Sequence, residues 1–159
     1  MTDNQPIGKR WHTREDSGLR IDRALRWWHD DEPIEHPRII ELFNQGLVPT
    51  GDGRFQLKVG ADWCFVQVED AAYAVVAVDL LPARGWCLRL SDRTGETLDP
   101  ASLGIDSEGV LTCAVKSAQA KARFSRDAQF ALGEHLEQDD QGYWLATPQG
   151  RFRVRQDAG

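Results

Sequence analysis

Apolar and polar residues alternate along many short stretches of this chain, and that alternation is the period of a β-strand. Turn residues such as those from Thr50 to Gly53 separate the stretches, as expected between strands. The stretch 73–81 is apolar on both faces, which is typical of a central strand. The strands predicted in this way span residues 19–21, 26–29, 54–58, 63–69, 73–81, 86–90, 110–116, 119–124, 143–146 and 151–155.

Two stretches carry a helical pattern instead. The first, residues 37–45, starts at a proline, which is favoured at a first helical position, and Gly46 is a typical stop after it. The second follows Ser125, a good N-cap residue. The face of the first helix that we expect to be buried consists of Ile39, Leu42, Phe43 and Leu47.

An internal repeat relates the regions around the two helices. A shift of 89 positions places the apolar face of the first helix on Ala128, Ala131, Leu132 and Leu136. A shift of 88 then places Phe55, Leu57, Cys64 and Val66 on Tyr143, Leu145, Phe152 and Val154. Agreement in core positions across a helix and two strands favours duplication, although any two helix–hairpin units share some of this pattern.

These patterns predict an α+β fold made of two similar ββαββ halves with curved antiparallel sheets, each packed on one helix. An extra central hairpin joins the halves. The first half with this hairpin covers residues 18–90 and the second covers 108–157, within one compact unit of residues 1–159. Residues 1–17 form a loose N-terminal segment, in which Trp11 is expected to dock on the fold.

Composition narrows the class of protein. The chain has 159 residues, of which 41% are hydrophobic and 28% charged, as in folded globular proteins. No apolar run is long enough to cross a bilayer, and the N-terminus lacks a signal-peptide pattern, so we expect a cytoplasmic protein without membrane contact. The three cysteines form no Cys-x-x-Cys pair and indicate a reduced protein. The net charge of −6 argues against nucleic-acid binding.

The motifs of nucleotide-binding loops, hydrolase elbows and metalloprotease helices are absent from the sequence, and no cofactor is expected. A polar cluster runs from His29 to Glu32 and continues with Glu35 and His36. Its imidazoles and carboxylates could bind a metal or act as a general acid and base. The alternative is a solvated hairpin end, in which Glu35 or His36 supports the helix N-terminus.

A second candidate is a cationic strand face, built from arginines that alternate with apolar residues. Arg151, Arg153 and Arg155 follow this pattern, and Lys121 and Arg123 repeat it. If these strands share one sheet, five cations lie on one surface and could bind an anionic ligand or an acidic protein. The alternative is a charged face that prevents edge pairing, or ion pairs with Glu134, Glu137 and Asp139.

Aromatic residues give a third indication. The repeat aligns Trp63, Phe65 and Gln67 with the three arginines, and we expect those aromatic rings to be buried where the halves meet. Trp27 and Trp28 are adjacent, so in a strand one of them faces away from the core. We therefore include Trp28 in the binding face, or in the interface of a homodimer. His12 and His135 receive no role.

Several motifs are shared with a known family. They comprise residues 18–22, 27–29, 33–34, 42–43, 52–53, 68–71 and 78–79, together with Phe55, Leu57, Ala122 and Phe124. On these motifs the sequence resembles the bacterial domain-of-unknown-function 1285 family, over roughly residues 11–154. The resemblance implies an α+β architecture with duplicated curved sheets, no established enzymatic activity and a role in signalling or as an adaptor. It supplies no active-site residue.

Three hypotheses about function follow from the sequence. The leading one is a non-enzymatic binding or adaptor protein whose cationic face recognises an anionic ligand or partner protein. The second is a metal-dependent enzyme centred on His29, Asp30, Asp31 and His36. The third is a structural subunit of a homo-oligomer.

Overall fold

The structure, a computed structural model, describes residues 12–156. The chain divides into two compact units, one up to Ala72 and the other from Tyr73. Each unit combines one α-helix with β-strands, which confirms the α+β class. Within residues 12–156, no helix is long and apolar enough to cross a membrane. Trp11 and its expected docking lie outside the described residues.

In the first unit, three strands precede the helix and three follow it. These elements are β1 (Leu19–Ile21), β2 (Trp27–His29), β3 (Glu32–Pro33), α1 (Pro37–Gly46), β4 (Leu47–Pro49), β5 (Phe55–Val59) and β6 (Asp62–Val68). The strands pair in the order β3-β2-β1-β6-β5-β4, and β1 runs parallel to β6 whereas the other neighbours are antiparallel. The expected ββαββ layout has two strands on each side of the helix, whereas the observed unit has three on each side.

Helix α1 has the predicted bounds, but only part of its expected apolar face is buried. Leu47, directly after the helix, is buried as predicted. Ile39 and Leu42 remain 40% and 49% exposed. Phe43 packs edge-on against the buried Trp27, with 5.2 Å between the ring centroids. The Trp27 indole N–H donates to Asn44 Oδ1 at 2.8 Å. A buried indole N–H requires an acceptor, and this polar contact helps to set the rotation of the helix.

The second unit contains two sheets. Its elements are β7 (Tyr73–Leu81), β8 (Gly85–Leu90), β9 (Gly95–Thr97), a short 3-10 helix (Pro100–Ser102), β10 (Gly104–Ile105), β11 (Leu111–Val115), β12 (Ala120–Phe124), α2 (Arg126–Gly133), β13 (Leu136–Asp139), β14 (Gly142–Thr147), β15 (Gly150–Arg153) and β16 (Arg155–Gln156). One sheet has the order β16-β10-β11-β12-β7-β8-β9, and the other has the order β13-β14-β15. The chain passes from the second sheet to the first at Val154, which is buried.

The β7–β8 hairpin belongs to this second unit, although its sequence position placed it with the first half. Strand β7 lies in the interior of its sheet, between β12 and β8, as its apolar pattern predicts. Its burial is uneven, because Val75 is fully buried while Val76, Leu80 and Leu81 are exposed. The apolar residues on both faces of β7 are therefore not all core residues.

Helix α2 begins where the sequence predicts. The Ser125 hydroxyl oxygen accepts a hydrogen bond from the Ala128 N–H at 3.1 Å, which is an N-cap interaction. Ala128 and Leu132 are buried, one turn apart on the helix face that packs on the sheet. The capped helix N-terminus therefore follows directly from the end of β12 at Phe124.

Candidate functional site

The five predicted cations do not share one sheet. Lys121 and Arg123 lie on β12 and Arg155 lies on β16, both in the seven-stranded sheet. Arg151 and Arg153 lie on β15 in the three-stranded sheet. The alternation of residues 151–155 is present in the sequence, but the chain changes sheets within it. The condition for a single cationic face is therefore not met.

The contacts of Arg123 and Arg155 lie within the second unit. The Arg123 guanidinium lies 3.5 Å from the Asp106 carboxylate and 3.4 Å from that of Glu108, and its side chain is only 18% exposed. Arg155 donates a hydrogen bond to the Ser102 carbonyl oxygen at 3.1 Å. Arg123 and Arg155 therefore help to hold the second unit together.

Arg151 forms the kind of ion pair that was the alternative to a binding face. Its guanidinium lies 3.1 Å from Glu137 and 3.7 Å from Asp139, both on β13, which is separated from β15 by β14 in the same sheet. The same group lies 4.6 Å from the centre of the Trp144 ring, a cation–π distance. This side of the three-stranded sheet is an exposed network of opposite charges.

Trp28 is half-buried and fully engaged in the first hairpin. Its indole N–H donates to Asp22 Oδ2 at 2.8 Å, and the guanidinium groups of Arg20 and Arg26 lie 5.0 and 5.8 Å from its ring. Burial acts to raise the pKa of Asp22. Hydrogen bonds from Arg26, Trp28 and Ala24 outweigh that effect and hold the pKa below its ordinary value.

The aligned aromatic positions are covered by arginines of their own unit. Trp63 and Phe65 contact each other edge-on with 5.5 Å between centroids. The Arg14 guanidinium lies 4.9 Å from the Trp63 ring, and that of Arg54 lies 3.3 Å from the Phe65 ring. Gln67 is exposed. Both rings are half-buried under cations, which is a surface arrangement within the first unit.

The histidine-rich cluster is divided by the structure. His36 is the N-cap of α1, where its Nδ1 accepts from the Arg38 N–H at 3.2 Å, so the helix-capping alternative is correct for this residue. Asp31 is exposed in the turn after β2. His29 and Asp30 come together with His12 instead. His12 was missed because its proximity depends on how residues 12–17 lie on the sheet.

Residues 12–17 are not loose. The Phe65 N–H donates to the Arg14 carbonyl oxygen at 2.8 Å, and the Ser17 hydroxyl donates to the Phe65 carbonyl oxygen at 2.7 Å. The segment therefore lies along β6. His12 Nε2 then lies 3.0 and 3.1 Å from the two oxygens of Asp30. This contact joins the N-terminal segment to the end of the first hairpin.

The second unit contains a cleft of about 820 Å³ beside helix α2, which we call the α2 cleft. Its volume lies in the range of small-molecule sites, about 300–1,000 Å³. Most of its wall is apolar, and Phe130 and Tyr143 on this wall are 70% and 36% exposed. The apolar lining comprises Ile105, Val110, Leu111, Phe124, Phe130, Leu136, Tyr143 and Val154.

Polar groups stand around this apolar wall. Gln129 is engaged in the fold, because its side chain accepts from the Leu111 N–H at 2.9 Å and donates to the Gly109 carbonyl oxygen at 2.8 Å. Arg126 and Glu134 lie at the two ends of α2 and are exposed. The remaining charged lining residues are Arg123 and Glu108, which pair with each other.

The sequence contained one signal for this cleft. Phe130 falls outside the helix face that the repeat predicts to be buried, so it is an aromatic residue on the polar side of an amphipathic helix. Nothing in the sequence indicated that β10 and β14 also line the cleft. Its walls come from segments about forty residues apart in the chain.

The architecture defines an α+β protein with one helix and one or two mixed or antiparallel sheets in each unit. The sequence matches no protein-family model and no curated protein. Two solved proteins share the fold. A DUF1285 family protein from Silicibacter pomeroyi DSS-3 has a TM-score of 0.65 and 20% identity, over 87% of this chain and 79% of that one.

The second solved protein is a DUF1285 family protein from Shewanella baltica OS155. It has a TM-score of 0.56 and 16% identity, over 74% of this chain and 91% of that one. The chain thus has the fold of DUF1285 family proteins, which supports the resemblance that the sequence motifs indicate.

Proposed function

We propose that this protein is a non-enzymatic binding protein, and that its ligand is an amphipathic anion held in the α2 cleft. The observation that carries the proposal is the exposed aromatic side chain of Phe130 on the wall of an 820 Å³ apolar cleft. An exposed large apolar surface in a concave site is typical of ligand contact. The hypothesis of an anion-binding protein is kept, and its location moves from the strand face to this cleft.

The anionic end of the ligand is assigned to Arg126. This residue is the first of α2 and is exposed at the cleft, and no described carboxylate forms an ion pair with it. Glu134 lies eight residues further along, roughly 12 Å away at 1.5 Å per residue. A carboxylate or phosphate group is therefore favoured near Arg126 and disfavoured near Glu134. Glu108 also lines the cleft, but it pairs with Arg123.

The second unit is the one suited to this role. We infer that both units derive from one duplicated ββαββ element with curved antiparallel sheets. In support, Gln67 and Arg155 correspond at the shift of 88, and both occupy parallel pairs, with Arg20 and Gly104 respectively. At the shift of 89, the first unit has Glu41 where the second has Phe130. The aromatic wall of the cleft is therefore particular to the second unit.

We also place the protein in the bacterial cytoplasm. Cys64, Cys87 and Cys113 are all free thiols. Free thiols that are partly or fully buried persist in a reducing compartment.

Isothermal titration of the full chain with decanoate, decanol and decylamine tests the proposal. Decanoate should bind more tightly than decylamine. The Phe130→Ala variant should weaken decanoate and decanol by about tenfold, because both lose the same apolar contact. The Arg126→Gln variant should weaken decanoate by about tenfold and leave decanol unchanged.

Arg153→Gln is the matched control, since Arg153 is an exposed arginine outside the α2 cleft. Its decanoate affinity should equal that of the natural sequence. The cationic strand face predicts the opposite result, with loss of binding in Arg153→Gln. The cleft proposal would be overturned if decanoate does not bind, or if Arg126→Gln binds decanoate as tightly as the natural sequence does.

A further inference from the structure

We propose that His12, His29 and Asp30 form a binding site for one divalent transition-metal ion in the first unit. Each of the three residues offers a ligand atom, and the three atoms lie within 4.8 Å of one another. This site is separate in sequence and in ligand chemistry from the α2 cleft. It assigns to the protein a metal-binding property that the proposed function does not require.

The fold fixes two of the three ligands. His29 is the last residue of β2 and pairs with Leu19 across the hairpin. The Asp30 N–H donates to the Gly18 carbonyl oxygen at 2.8 Å, which extends the same ladder by one residue. The backbone positions of His29 and Asp30 are therefore set by β1. Ligands on a hydrogen-bonded hairpin need little reorganisation to bind an ion.

A local turn positions the third ligand. The Thr13 N–H donates to the Asp16 carbonyl oxygen at 3.1 Å, and the Asp16 N–H donates to the Thr13 hydroxyl oxygen at 2.9 Å. This turn, together with the contacts of residues 14–17 along β6, directs His12 over the hairpin end. The His12 side chain is 17% exposed and that of Asp30 is 22% exposed. Two of the ligands are therefore partly shielded from water, and His29 is exposed.

The spacing of the ligand atoms suits a metal ion. Zinc binds a histidine nitrogen and a carboxylate oxygen at about 2.0–2.2 Å, so two such ligands around one tetrahedral ion lie about 3.3 Å apart. His12 Nε2 and the Asp30 oxygens are already 3.0 and 3.1 Å apart. The His12 and His29 rings have centroids 4.6 Å apart, and the ligand atom of His29 lies within 4.8 Å of those of His12 and Asp30.

The chemistry of the set narrows the choice of ion. Imidazole nitrogens select zinc, iron, cobalt, nickel or copper over magnesium and calcium. Three protein ligands leave at least one coordination position for water or an anion, as in open zinc sites. Asp30 also lines a polar cleft of about 640 Å³, which gives the ion access to solvent.

The charge of that cleft favours a cation. The described lining includes five carboxylates, Glu15, Asp16, Asp30, Asp31 and Asp70, against two guanidinium groups, Arg20 and Arg54. Both arginines are already paired, Arg20 with Glu69 at 2.6 Å and Arg54 with Glu15 at 2.9 Å. An excess of negative charge in a concave site raises the local concentration of cations.

The test is titration of the full chain, free of any histidine tag, with zinc and with cobalt. We expect one equivalent of zinc to bind, and the cobalt form to give the visible absorption of a nitrogen- and oxygen-ligated ion. His12→Ala, His29→Ala and Asp30→Asn should each weaken zinc binding by more than about tenfold, because each removes one ligand. Circular dichroism checks that each variant remains folded.

His36→Asn is the control, because asparagine can also serve as an N-cap and the substitution removes a histidine outside the site. It should bind zinc as the natural sequence does. The proposal is overturned if zinc does not bind stoichiometrically. It is also overturned if the three ligand variants bind zinc as tightly as the natural sequence does. A thiolate absorption band in the cobalt form would also overturn it, because it would place the ion on cysteine.

Discussion

Three buried aspartates close turns that connect neighbouring strands. Each accepts a hydrogen bond from the N–H two residues later, so the carboxylate replaces a backbone acceptor within the turn. Each also pairs with a basic side chain, which compensates for burial of the charge. The three aspartate–cation pairs are Asp22 with Arg26, Asp92 with Lys116, and Asp106 with Arg123.

At Asp22 these contacts lead to a stability prediction. Asp22→Asn should lower the free energy of unfolding at pH 7 by about 1–3 kcal/mol, because an amide cannot fully replace the carboxylate as acceptor for Trp28 and Arg26. Urea unfolding monitored by tryptophan fluorescence measures this change. Asp31→Asn, in an exposed turn, is the matched control and should change stability little.

The same substitution should change the response to acid. Because the pKa of Asp22 is lowered in the folded protein, its stabilising contribution is present above the unfolded pKa of about 4 and is lost as pH falls through the folded pKa. Below pH 4 the natural sequence should therefore lose stability more steeply than Asp22→Asn. Parallel curves for the two proteins would contradict this assignment.

Site residues were predictable from the sequence only where they are neighbours in the chain. His29 and Asp30 are adjacent, and the density of ligand-type residues identified them. His12 lies seventeen residues before His29, and the hydrogen bonds of residues 14 and 17 to Phe65 bring it close. No pattern within residues 12–17 encodes that contact, because its partner lies on β6.

Among the elements, α1 was predicted almost to the residue at both ends, and α2 was predicted at its start. The two starts follow from local chemistry, a proline at the first position of α1 and a serine cap before α2. The buried face of α1 was less predictable. Periodicity places Ile39 and Leu42 together with Phe43, whereas the Trp27–Asn44 hydrogen bond, a tertiary contact, helps to set the final rotation.

Alanine substitution of the glycines that end the two helices should affect the stability of the protein differently at the two positions. A Cβ at Gly46 would lie 2.3 Å from the Lys58 carbonyl oxygen, so the backbone of α1 or β5 must shift. At Gly133 the same atom would meet nothing within 4 Å. Gly46→Ala should destabilise by about 1–3 kcal/mol. Gly133→Ala should be neutral or stabilise by up to about 1 kcal/mol.

Thermal unfolding of the two alanine variants beside the natural sequence makes this comparison directly. Alanine is the better helix former in both cases, so helix propensity predicts stabilisation of both. The difference in melting temperature between the variants therefore isolates the close approach of α1 to β5. Equal melting temperatures would mean that β5 moves away from Gly46 at no cost.

For the whole molecule, the sequence predicted strands better than sheets. Strand β12 and the stretch 151–155 were found by alternation, but alternation does not encode which strands become neighbours. The passage between sheets at Val154 separates Arg153 from Arg155, so a regular cationic pattern became two unrelated surfaces. Strands β9, β10 and β13 have at most one large apolar side chain each, so they lack the alternation that identified the similarly short β1.

Cys113 offers a measure of how cooperatively the second unit unfolds. It lies on β11 in the interior of the seven-stranded sheet, opposite Ala122 on β12. Burial, with a smaller contribution from Glu96, raises the pKa of this thiol to about 12. Because the thiolate is the reactive form, Cys113 in the native protein should be almost inert to alkylation at pH 8.

A Cys64→Ser, Cys87→Ser variant leaves Cys113 as the single thiol. Its alkylation in increasing urea should begin only where far-UV circular dichroism shows loss of β-structure, because a buried interior strand is exposed by unfolding of the sheet. A Cys64→Ser, Cys113→Ser variant retains only Cys87, which is half-buried, and its thiol should react before that transition. Reaction of Cys113 at the Cys87 rate in native buffer would mean that β11 and β12 separate locally, and that the wall of the α2 cleft opens with them.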